Sequence, residues 1–490
     1  MKALLYTRPR IDSFYHRLAT EWLGEDGYTS MSDHTGLEPI DIMRYFYQAQ
    51  REQTVRFSNI PLNSVDYHMI ATRCRYLRLV SFNSAVRHIN AMWLAFERIF
   101  ERVQPDVILG PVMDSYVLDV ADRVARTRNH EYSGLLENMI NGYCRLTNRG
   151  ELRPHRTPSE DEVSSALAML RQRTYVPKMQ TDGMATLGSV HPLKTLLTKY
   201  VRDHVKMAYF SAKRVFDPCN FYYNTAVSVN VCTSLEHLRY AKFEDADWLQ
   251  QVTAARAANA KIVFLPLQFY PEASLDYWGT SLDFAQFERV VLRVLSGADP
   301  KHVVLMKEHP TMTALRNPDF YRQLAHLPNV ILAPVNVPSN TLLDHADVVM
   351  TWTGSVGFEA AIRELPLVTF GKAYYDTNDA FLALDNPADL DQLPEICRRA
   401  TIKFQQAGNA RKPETLVREM LRGLLPGYVF TVDFTGERAV QGKAEVQKLA
   451  ASIDAYFRTC GTGAHPVRPG SMDASALGLT EVASRRAAQS

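Results

Sequence analysis

The feature that most constrains this sequence is a regular alternation of short apolar runs and amphipathic segments between Lys261 and Gly371. The apolar runs have the length of strands, and they are KIVFLPLQ, HVVLMKEHP, VILAPV, DVVMTWT and PLVTFG. The segments between them carry apolar residues at helical spacing. Near-continuous apolar strands that alternate with helices form parallel sheets covered on both faces. This stretch therefore predicts a doubly wound α/β domain.

A second region with the same alternation lies near the N-terminus. KALLYT and DVILGPV are strand-like, and the amphipathic run SAVRHINAMWLAFERIFERV lies between them. A chain of 490 residues is too long for one ordinary core, which favours two or three domains with a cleft between them. The sequence therefore predicts two Rossmann-like doubly wound domains that face a cleft, with a helical insert.

The expected domain boundaries follow changes of pattern along the chain. We expect an N-terminal Rossmann-like domain over 1–155, a helical insert over 156–255, a C-terminal Rossmann-like domain over 256–425, a helical region over 426–460 and a tail over 461–490. Thr157 or Ser159 is expected to cap the first helix of the insert. The tail is rich in Gly, Ser, Pro and Ala and lacks periodicity, which indicates a flexible segment.

A basic amphipathic helix is predicted over 194–216, within HPLKTLLTKYVRDHVKMAYFSAKRVF. Lys and Arg are concentrated on one side and Leu, Val, Tyr and Phe on the other. In one interpretation the helix packs on the protein and leaves its basic face in water, as surface helices commonly do. In the other it lies on an anionic membrane surface.

Composition and cysteine spacing exclude several functional classes. The 55 basic and 53 acidic residues leave a formal charge of +2, so nothing in the composition points to nucleic acid. The six cysteines lack the CxxC or CxxH spacing of a zinc site, which favours a reducing compartment. No apolar run approaches the roughly 20 residues that span a bilayer, and the N-terminal run is too short and too charged for a signal peptide. We therefore expect a cytoplasmic protein and leave open a peripheral position at the inner membrane.

One predicted strand runs directly into charged residues, in VVLMKEHPTM. In open α/β sheets, ligands bind outside the carboxyl ends of the strands. Lys307, Glu308 and His309 occupy that position. Because Lys is a point charge and His is a hydrogen-bond donor, the pair suits a phosphate group. The alternative is that His309 only caps a loop.

A second strand end, in DVVMTWTGSVGFEAAIREL, leads into a helix. Thr353, Gly354 and Ser355 lie at its start, where free backbone N–H groups bind anions. Glu359 suits a ribose diol, or it stabilises the helix N-terminus. Gln268 ends the first strand of this domain, and its amide is expected to face the cleft unless it is an ordinary loop residue. The stretch is neither a GxGxxG nor a Walker loop, which disfavours hydride transfer and ATP hydrolysis.

These motifs together resemble a known family. FLPLQ, KEHP, TGSVGFEA and ELPLVTFGKAYY are similar to the nucleotide-binding half of bacterial capsule polysaccharide biosynthesis proteins, the Kdo transferases and their relatives of GT-B architecture. GLLENMINGYCRLTNRGEL is similar to a segment of the family's first half. The resemblance is concentrated in Lys261 to Tyr375 and does not extend into the insert or the tail. It implies transfer of a sugar, often from a CMP-activated acidic donor such as CMP-Kdo, onto a surface glycan at the cytoplasmic face.

The resemblance also implies roles for individual residues. His309 would contact the donor phosphate, Thr353 and Ser355 would line the phosphate end, and Glu359 would meet the nucleoside. Family members often carry an acidic pair before a Gly as the acceptor-activating group. The only such run here, in LGEDGYTSM, is interpreted as a turn that ends a helix, with Gly27 as the stop signal.

Glycosyl transfer also needs a group that deprotonates the acceptor hydroxyl. Glu137, at the end of SGLLEN, matches the family segment and is the first choice as base or nucleophile. Asp114, after DVILGPVM, is the second choice, with a helix-cap role as its alternative. Arg145 suits the carboxylate of an acidic donor or acceptor through its planar fork, or it has a surface role.

Several functions stay open at this point. The first is a glycosyltransferase that uses a nucleotide sugar as substrate, with no cofactor and no metal, since the acidic run EDAD at 244–247 is interpreted as part of a polar helix and not as a DxD motif between strands. The alternatives are a UDP-sugar epimerase or a UDP- or GDP-sugar transferase of GT-B fold, and a noncatalytic nucleotide- or glycan-binding subunit. The expected partners are a nucleotide sugar, a glycan or glycolipid acceptor, and the membrane face or a polysaccharide export complex.

Overall fold

The structure is a computed structural model that describes residues 1–52, 60–177, 192–229, 231–232, 240, 242–278, 286–312, 315–371, 373–384, 386–429 and 437–462. The predicted flexible tail therefore lies outside the described residues, apart from its first two positions.

Strands and helices alternate along most of the described chain. The strands are β1 (Ala3–Tyr6), β2 (Tyr28–Ser32), β3 (Ile40–Asp41), β4 (Val107–Pro111), β5 (Tyr132–Glu137), β6 (Tyr143–Thr147), β7 (Lys261–Pro266), β8 (His302–Lys307), β9 (Val330–Ala333), β10 (Val348–Thr351), β11 (Leu367–Phe370), β12 (Leu382–Leu384) and β13 (Leu425–Pro426). The helices are α1 (Asp12–Leu23), α2 (Ile42–Arg51), α3 (Ser64–Arg73), α4 (Phe82–Val103), α5 (Tyr116–Arg126), α6 (Glu160–Leu170), α7 (Pro192–Phe216), α8 (Phe221–Ser228), α9 (Trp248–Ala257), α10 (Ala273–Asp276), α11 (Phe287–Ser296), α12 (Pro318–Ala325), α13 (Ser339–Leu343), α14 (Ser355–Ile362), α15 (Leu393–Gln406), α16 (Pro413–Arg422) and α17 (Glu437–Cys460).

The strands form two separate sheets. The first has the order β13-β6-β5-β4-β1-β2-β3 and the second the order β12-β11-β10-β7-β8-β9. The second sheet is parallel throughout, whereas β6 and β13 are antiparallel to their neighbours in the first. In the first sheet, β2 and β3 lie on one side of β1, and β4 and the later strands lie on the other side. In the second sheet, β8 and β9 lie on one side of β7, and β10 and the later strands lie on the other. This reversal of strand order is the Rossmann-like order. The predicted fold class of two Rossmann-like domains is confirmed.

Both faces of each sheet are buried, which explains the near-continuous apolar strands. In β7, Ile262 and Phe264 belong to one core cluster, whereas Val263 and Leu265 belong to the cluster on the opposite face. Successive side chains of a strand point to opposite faces, so a strand covered on both sides is apolar at every position.

The end of the described chain returns to the first domain. β13 pairs with β6, with Leu425 opposite Cys144. Helix α17 packs its apolar side against α1, and Leu449 shares a core cluster with Phe14 and Leu18. The helical region at 426–460, predicted without a position in the fold, is therefore part of the N-terminal core.

The first helix of the insert belongs to the core of the second domain. Ser159 caps α6 through a reciprocal pair of hydrogen bonds with Glu162, so the predicted start signal is confirmed. On its buried side, Val163 and Ala166 pack in the same cluster as Met420 of α16. Helix α6 therefore anchors the insert to the second domain.

Two local predictions were wrong. Helix α1 ends at Leu23, and the left-handed stop residue is Gly24, with φ of 75°, because Gly27 lies in a separate short turn over Glu25–Gly27. The acidic run at 244–247 is not helical. It forms a loop in which Asp245 accepts the backbone N–H of Leu332 at 2.7 Å, so this carboxylate fixes the loop to β9. No helix of the described ranges is both long and apolar enough to cross a membrane.

Candidate functional site

The polar residues after β8 point to two sides of the strand end. Glu308 is 2% exposed, and its carboxylate accepts hydrogen bonds from Arg316 Nε at 2.7 Å and Nη2 at 3.1 Å, from the Tyr321 hydroxyl, and from the His309 backbone N–H at 2.7 Å. Side chains alternate along an extended chain, so Lys307 and His309 point away from this ion pair. Glu308 is therefore a structural anchor beneath the strand end, and the structure does not place it among ligand-facing groups.

Lys307 is buried and His309 is half-buried. Burial lowers the pKa of Lys307 to about 8, against a smaller opposing effect of the Glu359 carboxylate. Burial also lowers the pKa of His309 to about 4, so the imidazole is neutral at pH 7. Its Nδ1 accepts the Thr311 backbone N–H at 3.3 Å, so the ring proton is on Nε2. The strand end thus offers one buried cation and one neutral N–H donor, which suit a phosphate oxygen.

Gln268 holds the loop that joins β10 to α14. With its amide oxygen turned toward this loop, it accepts the N–H groups of Gly354 at 3.1 Å and Trp352 at 3.3 Å, and the Thr351 hydroxyl at 2.9 Å. A Cβ atom at position 354 would lie 2.8 Å from the same amide, so glycine permits this close approach. Gln268 is only 7% exposed. The structure therefore places its amide inside the domain, where it positions the loop, and not at the cleft surface as expected.

The loop ends in an anion-binding geometry. Ser355 is the first residue of α14, and a helix N-terminus carries backbone N–H groups without intrahelical acceptors. The Thr353 hydroxyl is buried and lacks a hydrogen-bond partner in the described part of the chain. A buried hydroxyl without a partner destabilises the fold unless a ligand or a water forms a hydrogen bond with it. These groups fit the predicted phosphate cradle.

Arg145 reaches the second domain from the first. It lies on β6, opposite Leu136 of β5, and is 1% exposed. Its guanidinium carbon lies 3.7 Å from the centroid of the Tyr374 ring and 5.5 Å from that of Trp278. Its Nε and Nη1 atoms are buried and have no hydrogen-bond partner among the described residues. Arg145 is therefore a buried cation with two donors that no described group satisfies.

Electrostatic proximity connects Arg145 to the strand end of β8. Burial raises the pKa of Tyr374, Arg145 lowers it and Glu359 raises it, so the phenol lies near both charges. Glu359 in turn acts on Lys307. Arg145, Tyr374, Glu359, Lys307 and His309 are called the cleft cluster below. The cleft cluster unites side chains from both domains, and Tyr374 is a member that the sequence did not single out.

Asp114 is held by an arginine. Arg8 donates to its two carboxylate oxygens at 2.6 Å and 2.8 Å. Burial opposes the charged form of Asp114, but Arg8 more than offsets it, and the pKa of Asp114 lies below its ordinary value. A carboxylate stabilised in this way is a weak proton acceptor. Ser115, and not Asp114, is the N-cap residue of α5.

Glu137 and Arg145 do not share a face of the sheet. Glu137 is opposite Cys144 in the β5–β6 pair, and its charge acts on Tyr15 and Cys144, on the α1 side. Arg145 lies on the other face, toward Tyr374. The structure thus places Glu137 at a strand end of the first domain but outside the cleft cluster, and its role as base stays a prediction.

A further carboxylate at the same sheet edge was missed. Asp33 directly follows β2 and is 1% exposed, and neither of its oxygens has a hydrogen-bond partner within the described ranges. His34 Nε2 lies 3.9 Å from its Oδ1. The signal was present in the sequence, because SMSDH is a strand that ends in polar residues, as KEHP is.

Comparisons with known proteins agree with the motifs. Residues 165–399 match the family model described as capsule polysaccharide biosynthesis protein. The capsule polysaccharide modification protein LipA of Neisseria meningitidis is 28% identical over 142 residues, which are 28% of this chain and 19% of that protein. The predicted resemblance to this family is confirmed, and the match begins within α6, so it also includes the insert, where no motif was recognised.

The solved structures that match this chain are similar to it only at low sequence identity. A β-Kdo 2,7-transferase, KpsC of Thermosulfurimonas dismutans, is 11% identical, with 80% of this chain and 88% of that chain covered and a TM-score of 0.34. MnaA of S. aureus, in a co-structure with UDP, is 11% identical, with 86% and 95% covered and a TM-score of 0.27. The fold assignment rests on the two sheets themselves.

Proposed function

Residues 165–399 carry the match to the capsule polysaccharide biosynthesis family, and from this premise we propose that the protein is a glycosyltransferase. It transfers an acidic sugar from a CMP donor such as CMP-Kdo to a surface polysaccharide or glycolipid. The partners would be the nucleotide sugar, the glycan acceptor and a polysaccharide export complex.

The observation that carries this proposal is the state of Arg145. A buried guanidinium with two unpartnered donors is costly unless an anion binds it. The planar fork of Arg matches a carboxylate through two parallel hydrogen bonds. A neutral sugar would leave this charge uncompensated, so an acidic sugar fits best.

Leaving-group stabilisation would come from the second domain. As the bond between the anomeric carbon and the phosphate oxygen breaks, negative charge grows on the CMP phosphate. We assign the stabilisation of this charge to the Lys307 ammonium, the Nε2–H of His309 and the N-terminus of α14, which are the cation and the N–H donors at these strand ends. Because these groups are largely dehydrated, their effect on the phosphate is stronger than in water.

The proton of the acceptor hydroxyl needs an acceptor from the first domain. Glu137 stays the choice that the family segment implies. Asp33 is the second choice, because no described residue donates a hydrogen bond to its carboxylate, whereas Arg8 binds the carboxylate of Asp114. Glu137→Gln and Asp33→Asn, made separately, would identify the base by loss of turnover with retained CMP affinity.

The test is calorimetric titration with CMP, UDP, GDP and ADP, followed by turnover of CMP-Kdo made in situ. Selective CMP binding and acceptor-dependent CMP release are the expected results. Conversion of a UDP-sugar without any acceptor would instead support an epimerase. Binding of a nucleotide with no turnover of any donor would support a noncatalytic subunit.

A further inference from the structure

Helix α7 is fixed on the protein by its inner side. Lys199 Nζ donates to the Thr311 backbone carbonyl at 3.3 Å, in the turn after His309. Asp203 is 4% exposed and accepts the Cys232 backbone N–H at 3.1 Å. The Phe210 ring packs on Tyr223, with centroids 5.7 Å apart. These contacts define which side of α7 faces outward.

The outward side of α7 is apolar. Leu197, Val201, Val205 and Tyr209 follow one another at four-residue spacing and are 52%, 56%, 65% and 56% exposed. They form one continuous face of a helix. Ala208 and Ala212 lie along the same face, and it continues to Val215 and Phe216, which are 77% and 87% exposed. These outward residues are called the apolar stripe. In water, a contiguous apolar surface of this kind marks an interaction site.

Basic side chains flank the apolar stripe. Arg202 keeps 70% of its side chain exposed, although it lies 3.7 Å from Asp203, and Lys213 and Arg214 are exposed near the end of the helix. Asp203, the one acidic residue of α7, is turned inward. The outward side therefore combines an apolar centre with an exposed basic edge, in which Arg202 is 3.7 Å from Asp203, and this differs from the solvated basic face of the first interpretation above.

We propose that the apolar stripe docks α7 on an anionic lipid bilayer. The apolar residues would enter the boundary between headgroups and acyl chains, and the basic edge would lie on the lipid phosphates. Charge decides between a bilayer and a second copy of the chain. Two copies joined through this face would bring their positive edges together, whereas anionic lipid neutralises them. This proposal does not depend on the proposed transferase activity.

The test is co-sedimentation of the full chain with vesicles of phosphatidylcholine alone or with roughly one phosphatidylglycerol in three. The variants are Val201→Asp/Val205→Asp for the apolar stripe and Arg202→Glu/Lys213→Glu for the basic edge. Leu249→Asp is the matched control, because Leu249 is an exposed apolar residue on α9, outside the stripe. Circular dichroism and thermal melts verify that each variant is folded.

Binding to the anionic vesicles is the expected result, with about tenfold weaker partitioning of both double variants and no change in Leu249→Asp. High salt should weaken binding of the native chain. The proposal is overturned if Leu249→Asp weakens vesicle binding as much as the double variants do, or if the native chain does not bind the anionic vesicles. Light scattering that shows a dimer dissociated by Val201→Asp/Val205→Asp, without vesicle binding, would assign the stripe to self-association instead.

Discussion

The guanidinium carbon of Arg145 lies over the ring of Tyr374, 3.7 Å from its centroid, and the two residues belong to different domains. The contact partly compensates a buried charge that has no hydrogen-bond partner within the described ranges at Nε and Nη1. A site built across this contact is complete only when both domains are in place. The consequences of this arrangement are testable at single residues.

Replacement of Arg145 should separate binding of the sugar from binding of the nucleotide. Arg145→Lys keeps a positive charge but loses the planar fork, so we expect about tenfold weaker binding of a CMP-linked acidic sugar and nearly unchanged binding of CMP. Titration calorimetry with both ligands measures the difference. Arg128→Lys, at an exposed ion pair, is the control. Equal losses for CMP and for the CMP-sugar would contradict a carboxylate-binding role.

Lys307→Met should stabilise the ligand-free protein and weaken nucleotide binding. Burial lowers the pKa of Lys307 from 10.5 to about 8. Below pH 8 both states carry the proton, and the folded state bears the full cost of the buried charge. As pH rises from 8 to 10.5, the unfolded state keeps more protons, so the native protein gains stability and the difference from the variant disappears. We expect a gain of roughly 1 to 3 kcal/mol in the free energy of unfolding at pH 7, because the lowered pKa already includes the attraction to Glu359. Urea unfolding at pH 7 and pH 10 measures it.

His309→Gln should change the response of stability to acid. Burial lowers the pKa of His309 from 6.5 to about 4, so between these values the unfolded state binds a proton that the folded state does not. The free energy of unfolding therefore decreases as pH falls from 6.5 toward 4, in part because of His309. In the variant this decrease should be smaller over the same range. Unfolding free energies at several pH values measure the slope. The exposed His326→Gln is the control, and a slope identical to the native one would contradict the assignment. CMP affinity should fall in the same variant.

Glu308→Gln should destabilise the second domain, because it removes the hydrogen-bonded carboxylate partner of the buried Arg316 and leaves only Glu288, 3.6 Å away. Loss of one member of a buried ion pair costs roughly 3 to 5 kcal/mol. Arg316→Met added to this variant should cost less than Arg316→Met alone, which a double-mutant cycle of denaturant midpoints determines. Glu395→Gln, at the exposed pair with Arg398, should leave the midpoint unchanged. Additive effects of the two buried replacements would show that the pair is not coupled.

Gly357→Ala should be destabilising, although alanine normally favours a helix. A Cβ atom at position 357 would overlap the Tyr375 hydroxyl and lie 2.7 Å from Thr351 Cγ2. Overpacking of this kind costs roughly 1 to 3 kcal/mol. Tyr375→Phe in the same chain removes the hydroxyl and should restore part of the loss in a thermal melt. If the second replacement does not recover any stability, the strain does not come from contact with the Tyr375 hydroxyl.

Much of the fold was predictable from the sequence, for a physical reason. Strands covered on both faces are apolar at each position, so β7, β8 and β10 were recognisable from composition alone. The same reasoning located Lys307 and His309 at a strand end. It could not tell that Glu308, between them, points into a buried ion pair, because the partners Arg316 and Tyr321 lie beyond the strand.

Contacts between distant segments set the limit of sequence reasoning. The approach of Arg145 to Tyr374 depends on how the two domains meet, and no local pattern contains that information. Gln268 was expected at the cleft because it follows a strand, yet its amide binds the loop before α14. The packing of α17 on the first domain could not be predicted either. An amphipathic pattern predicts a helix, but it does not indicate which surface that helix covers.

The packing of α17 on the first domain has a consequence for how the protein is made. The apolar residues of α1 are covered by α17, which follows the whole second domain in the chain. During synthesis, the side of α1 that packs against α17 therefore stays uncovered until α17 has left the ribosome. The second domain, which is nearly continuous in the chain, can close earlier. Products that stop before Leu425 would keep this apolar surface open and are expected to be captured by chaperones or degraded.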